Sequence, residues 1–149
     1  MRIAIASDHG GFELKEALKP LLDELRIPFQ DFGTTSLDPV DYPDYAALVG
    51  RKVAAGEFDF GLLACGTGIG MSMAANKIPG IRAAVVWDVN TAHLAREHNN
   101  ANIMTIGGRT TSTELAREIV RTFLTTDFAG GGRHARRVEK ISSLDCKDS

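Results

Sequence analysis

Between Phe58 and Ala64 the chain is apolar at almost every position, and it runs directly into Cys65-Gly66-Thr67-Gly68-Ile69-Gly70. A strand with one wet face alternates apolar and polar residues. A continuous apolar run closed by turn residues instead fits a strand buried on both faces, as in a parallel sheet. Parallel neighbours need crossover connections, usually helical, and the rest of the chain supplies both parts. Ile3–Ala6, Pro28–Phe32, Arg82–Val86 and Asn102–Ile106 read as further short strands. Helical spacing covers Phe12–Leu25, Tyr45–Ala55, Met71–Lys77, Val89–His98 and Ser112–Leu124, and a basic last helix covers Arg133–Ile141. Pro20 is expected to bend the first helix, and Ser112 suits an N-cap. The alternation predicts an α/β fold, a three-layer αβα sandwich around a five-stranded parallel Rossmann-like sheet. We expect a single domain over 1–149, its C-terminal helix starting at about 133; at that length roughly 70% of the unfolded surface can be buried.

The composition removes several classes of function. A formal net charge of -2 and a pI near 6.1 argue against general nucleic-acid binding, which needs a basic face. Two cysteines, Cys65 and Cys146, are too few for a disulfide scaffold; Cys146 lies in a polar tail and reads as a bystander. No segment approaches the roughly 20 apolar residues of a membrane span. The opening MRIAIASDHGG lacks the apolar stretch and cleavage site of a secretory signal, so the expected location is the cytoplasm.

In open α/β sheets, ligands bind outside the carboxyl ends of the strands. Ser7-Asp8-His9, Cys65–Gly70 and Gly107-Gly108-Arg109 are expected there; His98-Asn99-Asn100 ends a helix instead. The GxGxG spacing within 66–70 is wrong for a dinucleotide fingerprint, even with Asp88 downstream. Glycines before a helix let backbone N–H groups approach an anion such as an enediolate oxygen. Cys65 fits two roles equally: a small buried hydrophobe, or a base whose thiol pKa falls from about 8.5 toward neutrality in such a turn. His9 and His98, taken singly, suit structural histidines as well as proton carriers. No His/Cys spacing matches a zinc site, so no metal is expected. Arg133 and Arg137, four apart, share a helical face and could clamp a phosphate, with Arg109 as a third cation; a solvated basic face is the plainer reading. Tyr42 is compatible with packing or with sugar contact.

Assembled in order, SDHGGFELK at 7–15, DYPDYA at 41–46, CGTGIGMSMAANKIPGIRAA at 65–84, REHNNAN at 96–102, GGRT at 107–110 and GGRHARRV at 131–138 make the chain resemble the B-type ribose-5-phosphate isomerase family, which includes allose- and galactose-6-phosphate isomerases. The resemblance runs from the first strand to about Ile141. It implies a cofactor-free enediol mechanism on a sugar phosphate. In it His98, helped by Asp8, opens the ring; Cys65 moves the proton between C2 and C1; Thr67 assists; and the amides around Gly66, Gly68, Ile69 and Gly70 hold the oxyanion. His9, Arg133 and Arg137 would bind phosphate, with Tyr42, Asn99 and Arg109 on sugar or phosphate. One branch of the family carries a glutamate where this chain has Met71, which places it in the thiol branch. Gly130–Gly132 carries one glycine more than many relatives. The resemblance further implies a homodimer or tetramer with shared pockets. A six-carbon substrate and a non-catalytic phosphosugar sensor are the alternatives; joint retention of Cys65, Thr67 and His98 speaks against the sensor.

Overall fold

The computed structural model describes residues 1–145; Cys146 lies outside the described residues. Five strands, β1 (Ile3–Ser7), β2 (Phe29–Asp31), β3 (Phe60–Cys65), β4 (Ala83–Val85) and β5 (Ile103–Gly107), form one sheet in the order β2-β1-β3-β5-β4, and every pairing is parallel. The helices are α1 (Phe12–Glu24), α2 (Tyr42–Ala54), α3 (Ile69–Ala75), α4 (Val89–Glu97), α5 (Thr113–Thr125) and α6 (Gly132–Ser142). Strands β1, β3 and β5 are buried almost throughout, which for β3 is what its nearly continuous apolar run predicts.

Each sheet face carries its own apolar cluster. Leu14, Leu18, Leu21 and Leu22 of α1, Ala92 and Ala95 of α4, and Ile119, Val120 and Phe123 of α5 pack on one face. Ala46, Val49 and Val53 of α2 and Met71 and Ala75 of α3 pack on the other. Burying one such leucine or phenylalanine contributes about 1.5–3 kcal/mol. Connections that step across the sheet from β2 toward β4 use the α2–α3 face; those stepping back use the α1–α4 face. All crossovers therefore share one hand, the right-handed one that twisted strands impose.

Local chemistry sets the boundaries, and some differ from expectation. Ser112 caps α5 as predicted, its Oγ accepting from the Leu115 amide at 3.2 Å. Asp88 caps α4, its carboxylate accepting from the Thr91 amide at 2.7 Å, so its role is structural. Helix α2 starts at Tyr42 rather than Tyr45, because Pro43 in the first turn has no N–H to leave unsatisfied. Helix α3 starts at Ile69 rather than Met71, shortening the glycine turn. Phe58 precedes β3 and is buried against Phe32, edge to face at 5.5 Å, which explains its strand-like apolarity. Helix α1 continues through the exposed Pro20.

Candidate active site

The pairing register brings three strand ends level, with Ser7 beside Ala64 and Cys65 beside Gly107. Beyond β3 the chain turns to one face of the sheet; beyond β1 and β5 it turns to the other. Crevices consequently open on both sides of the end of β3, the usual place for a ligand in such a sheet.

The sequence-predicted residues at these ends do converge. Asp8 is buried; its amide donates to Ala64 O at 3.2 Å, and its carboxylate accepts from the Gly11 amide at 3.1 Å. Cys65 is 4% exposed and packs in the α2–α3 cluster, and its Sγ accepts a hydrogen bond from the Gly68 amide at 3.1 Å. It is thus both core residue and first residue of the turn. Gly68 has φ of +80°, a left-handed conformation that favours glycine. The buried Thr105 hydroxyl donates to its carbonyl at 2.7 Å, fixing the turn from below. Thr67 is exposed, its Oγ1 accepting from the Ile69 amide at 3.3 Å. Arg109 stands over Gly66 with its guanidinium 3.1 Å from where a Cβ would lie, and its amide donates to Gly66 O at 3.0 Å. The Tyr42 ring covers Gly70 in the same manner, and His9 Nδ1 accepts from the Val40 amide at 3.2 Å.

His98, Asn99, Arg133 and Arg137 are not part of this group. Helix α4 begins just past the carboxyl end of β4 and returns antiparallel to the strands; nine residues span about 13 Å. His98 caps its far end, where the Ala101 amide bonds Ala95 O and the Asn102 amide bonds Arg82 O, just before β4. The Ala129 amide donates to Glu97 O, which brings the start of α6 to the same place. There the His98 and His134 rings stack at 4.1 Å and 11°. Burial, then the adjacent His98, Arg133 and Arg137 charges, lower the pKa of His134 against the pull of Glu97. Two clusters therefore sit at opposite edges of one sheet. Thr105 and His134 were not among the expected site residues. A lone threonine within the apolar run Ile103–Ile106 is the signal for the first; for the second it is a histidine inside Arg133–Arg137.

Among the described residues no group of three or more His, Cys, Asp or Glu side chains is placed to hold a metal ion, and no helix is long and apolar enough to cross a membrane. A doubly wound sheet whose switch-point crevice holds a thiol, a glycine turn and an arginine defines an α/β protein built to bind and act on a small anionic ligand. Comparison with known proteins makes this specific. The sequence matches the Ribose/Galactose Isomerase family over residues 3–141. It is 44% identical over 144 residues to ribose-5-phosphate isomerase B of Escherichia coli, covering 97% of this chain and 96% of that one. The fold superposes on a ribose 5-phosphate isomerase from Thermotoga maritima with a TM-score of 0.92 at 54% identity, covering 96% and 98% of the two chains. It also matches ribose-5-phosphate isomerase B from Mycoplasma genitalium, solved with bound ribulose 5-phosphate, with a TM-score of 0.91 at 43% identity over 95% and 94%. The chain belongs to the Ribose/Galactose Isomerase family, and its enzyme class is isomerase.

Proposed function

We propose that the chain interconverts ribose 5-phosphate and ribulose 5-phosphate through an enediolate, as a single-domain cytoplasmic enzyme whose every site draws on two copies of the chain. The carrying observation is the split between clusters. The base and the oxyanion amides lie at the carboxyl edge of the sheet, the ring-opening histidine and two arginines at the amino edge, so a second copy must supply the missing half. Large apolar side chains left exposed in the single chain support such an assembly: Met73 on α3, Trp87 before α4, and Ile141 and Leu144 at the end of α6 are 67%, 61%, 43% and 80% exposed.

In this reading His98 of one copy and Asp8 of the other move a proton from the anomeric hydroxyl to the ring oxygen, giving the open aldehyde. The Cys65 thiolate takes the proton from C2, and the electron pair shifts toward O1 as the enediolate forms. The amides of 66–70 hold that oxyanion. Thr67 helps relay a proton between the two oxygens, and the Cys65 thiol returns its proton to C1, completing the ketose without net redox change. Arg133 and Arg137 supply positive charge to the phosphate, His9 donates to it, and Tyr42, Asn99 and Arg109 orient the sugar.

The chemistry is tested with Cys65→Ala, assayed on ribose 5-phosphate and allose 6-phosphate without added metal. Turnover should fall at least about 100-fold, the lower range for a lost general base; near-wild-type turnover removes Cys65 from the mechanism. The shared site is tested by mixing Cys65→Ala with His98→Asn. Subunit exchange builds hybrids with one intact site, and about a quarter of wild-type activity should return. No recovery with proven exchange refutes sharing.

A further inference from the structure

We infer that His9 is a positioning residue for Tyr42: held as the neutral Nε2–H tautomer by the Val40 amide, its ring pins the loop that carries Tyr42 over the glycine turn. The outward half of this inference, a donor aimed at phosphate, rests on the function proposed above; the tether does not.

A backbone amide can only donate. With Val40 N–H directed at Nδ1 at 3.2 Å, that nitrogen must keep its lone pair, and the one ring proton sits on Nε2. In this tautomer His9 keeps one neutral donor, Nε2–H, for the phosphate of the proposed function, and charge neutralisation is left to guanidinium groups. The inward bond has a mechanical role. The loop between β2 and α2 is fixed at its near end by Ser7 N–H to Gly33 O at 2.7 Å, Thr34 N–H to Ser7 O at 2.8 Å and the Lys15 ammonium on Thr34 O. From Thr35 to Pro39 the only hydrogen bond among the described residues is internal, Asp38 N–H to Ser36 Oγ. The next attachment to the rest of the fold is Val40 to His9. Two residues later Tyr42 opens α2, whose N-cap Asp41 makes no side-chain capping bond. The ring of Tyr42 occupies the space beside Gly70, with its Cζ 2.5 Å from a Cβ built there. The His9 bond is thus the hydrogen bond that ties the start of α2, and the phenol with it, to the end of β1, beside the apolar packing of Tyr45 on Gly33 and of Ala46 in the core.

The two ring nitrogens separate by substitution. Asparagine places an amide oxygen where Nδ1 stands but nothing at Nε2; glutamine reaches toward Nε2 but leaves Val40 without an acceptor. The test is the imidazole nitrogen spectrum of the wild-type protein at neutral pH, together with Val40 amide exchange and steady-state kinetics on ribose 5-phosphate in both variants. We expect an Nε2–H tautomer. Val40 exchange should quicken about five- to tenfold in His9→Gln and stay near wild type in His9→Asn, and kcat should fall more in His9→Gln. An Nδ1–H tautomer or an imidazolium, each read on the wild type whatever the variants do, overturns the inference. So does unchanged Val40 exchange in His9→Gln. An unaltered KM in His9→Asn with quickened exchange in His9→Gln supports the tether while removing the phosphate contact.

Discussion

Alanine at Gly68 and at Gly70 should have opposite signatures, although only two residues separate them. At Gly68 a Cβ would meet the backbone C, Cα and N of Ile106 at 2.9, 3.0 and 3.0 Å. That backbone belongs to an interior strand and cannot yield. The left-handed φ adds about 1–2 kcal/mol for a side chain, and overpacking a further ~1–3 kcal/mol, so Gly68→Ala should lose roughly 2–5 kcal/mol. Any backbone shift that relieves the clash also draws the Gly68 amide from Cys65 Sγ and its carbonyl from Thr105, so turnover should fall with stability. At Gly70 the obstacle is the Tyr42 ring, which can rotate away. Moving it costs about 0.5–1.5 kcal/mol, and alanine in a helix returns about 1 kcal/mol over glycine. Gly70→Ala should therefore stay within about 1 kcal/mol of wild type, while displacement of the phenol lowers kcat/KM at least roughly tenfold. Urea unfolding at fixed protein concentration and steady-state kinetics read both effects. An unchanged midpoint for Gly68→Ala refutes the backbone clash; an unchanged kcat/KM for Gly70→Ala refutes substrate contact by Tyr42.

Lys15 is 3% exposed and bonds both Asp31 carboxylate oxygens at 2.8 and 2.9 Å. Lys15→Met should cost about 1–3 kcal/mol in urea melts, less than a fully orphaned buried charge, because Asp31 keeps Lys19 at 2.7 Å. Burial alone would raise the Asp31 pKa, but hydrogen bonds from Lys15, Lys19 and the Gly33 amide outweigh it and hold the carboxyl below its ordinary range. A lowered folded pKa gives stability that is present above the unfolded value near 4 and lost as pH falls through the folded one. The acid limb of stability against pH should consequently flatten in Asp31→Asn, and an unchanged limb below pH 4 contradicts this. Thr105→Val should cost about 1 kcal/mol, with a larger relative loss of turnover than of stability. Replacing Arg133 and Arg137 together by glutamine should raise KM for the phosphorylated sugar and weaken its dependence on salt, with little change in melting temperature, since both side chains are exposed.

The layers of the fold were legible in the sequence because burial on both faces leaves an uninterrupted apolar run, and amphipathic stretches alternate with it. The strand order was not. Nothing local distinguishes a chain in which β5 enters between β3 and β4 from one in which it is added at the edge. The antiparallel return of α4 alone, whatever the strand order, sends His98 to the amino edge, and its place at the end of a helix rather than of a strand is the cue that sets it apart from the carboxyl-edge group. The carboxyl-edge half of the site was legible for the converse reason: Asp8, Cys65–Gly70 and Arg109 each follow a strand directly, so placing the strands places them. Tyr42 was legible as a residue type but not as the lid over Gly70, since its position depends on a loop anchored through His9 and Lys15.

The insertion of β5 also orders the assembly of the chain. Strand β4 has a single neighbour in the sheet, and that neighbour is synthesised after it. Until Ile103–Gly107 arrives, β4 has no strand to pair with, though the Asn76 side chain bonds Ala83 N–H and O at 2.7 and 2.9 Å, and β3 presents a bare apolar edge. The last strand thus acts as a keystone: in a nascent or truncated chain ending before residue 103, β1, β2 and β3 have all their mutual partners, whereas β4 lacks its one strand neighbour and hangs on side-chain contacts such as that of Asn76.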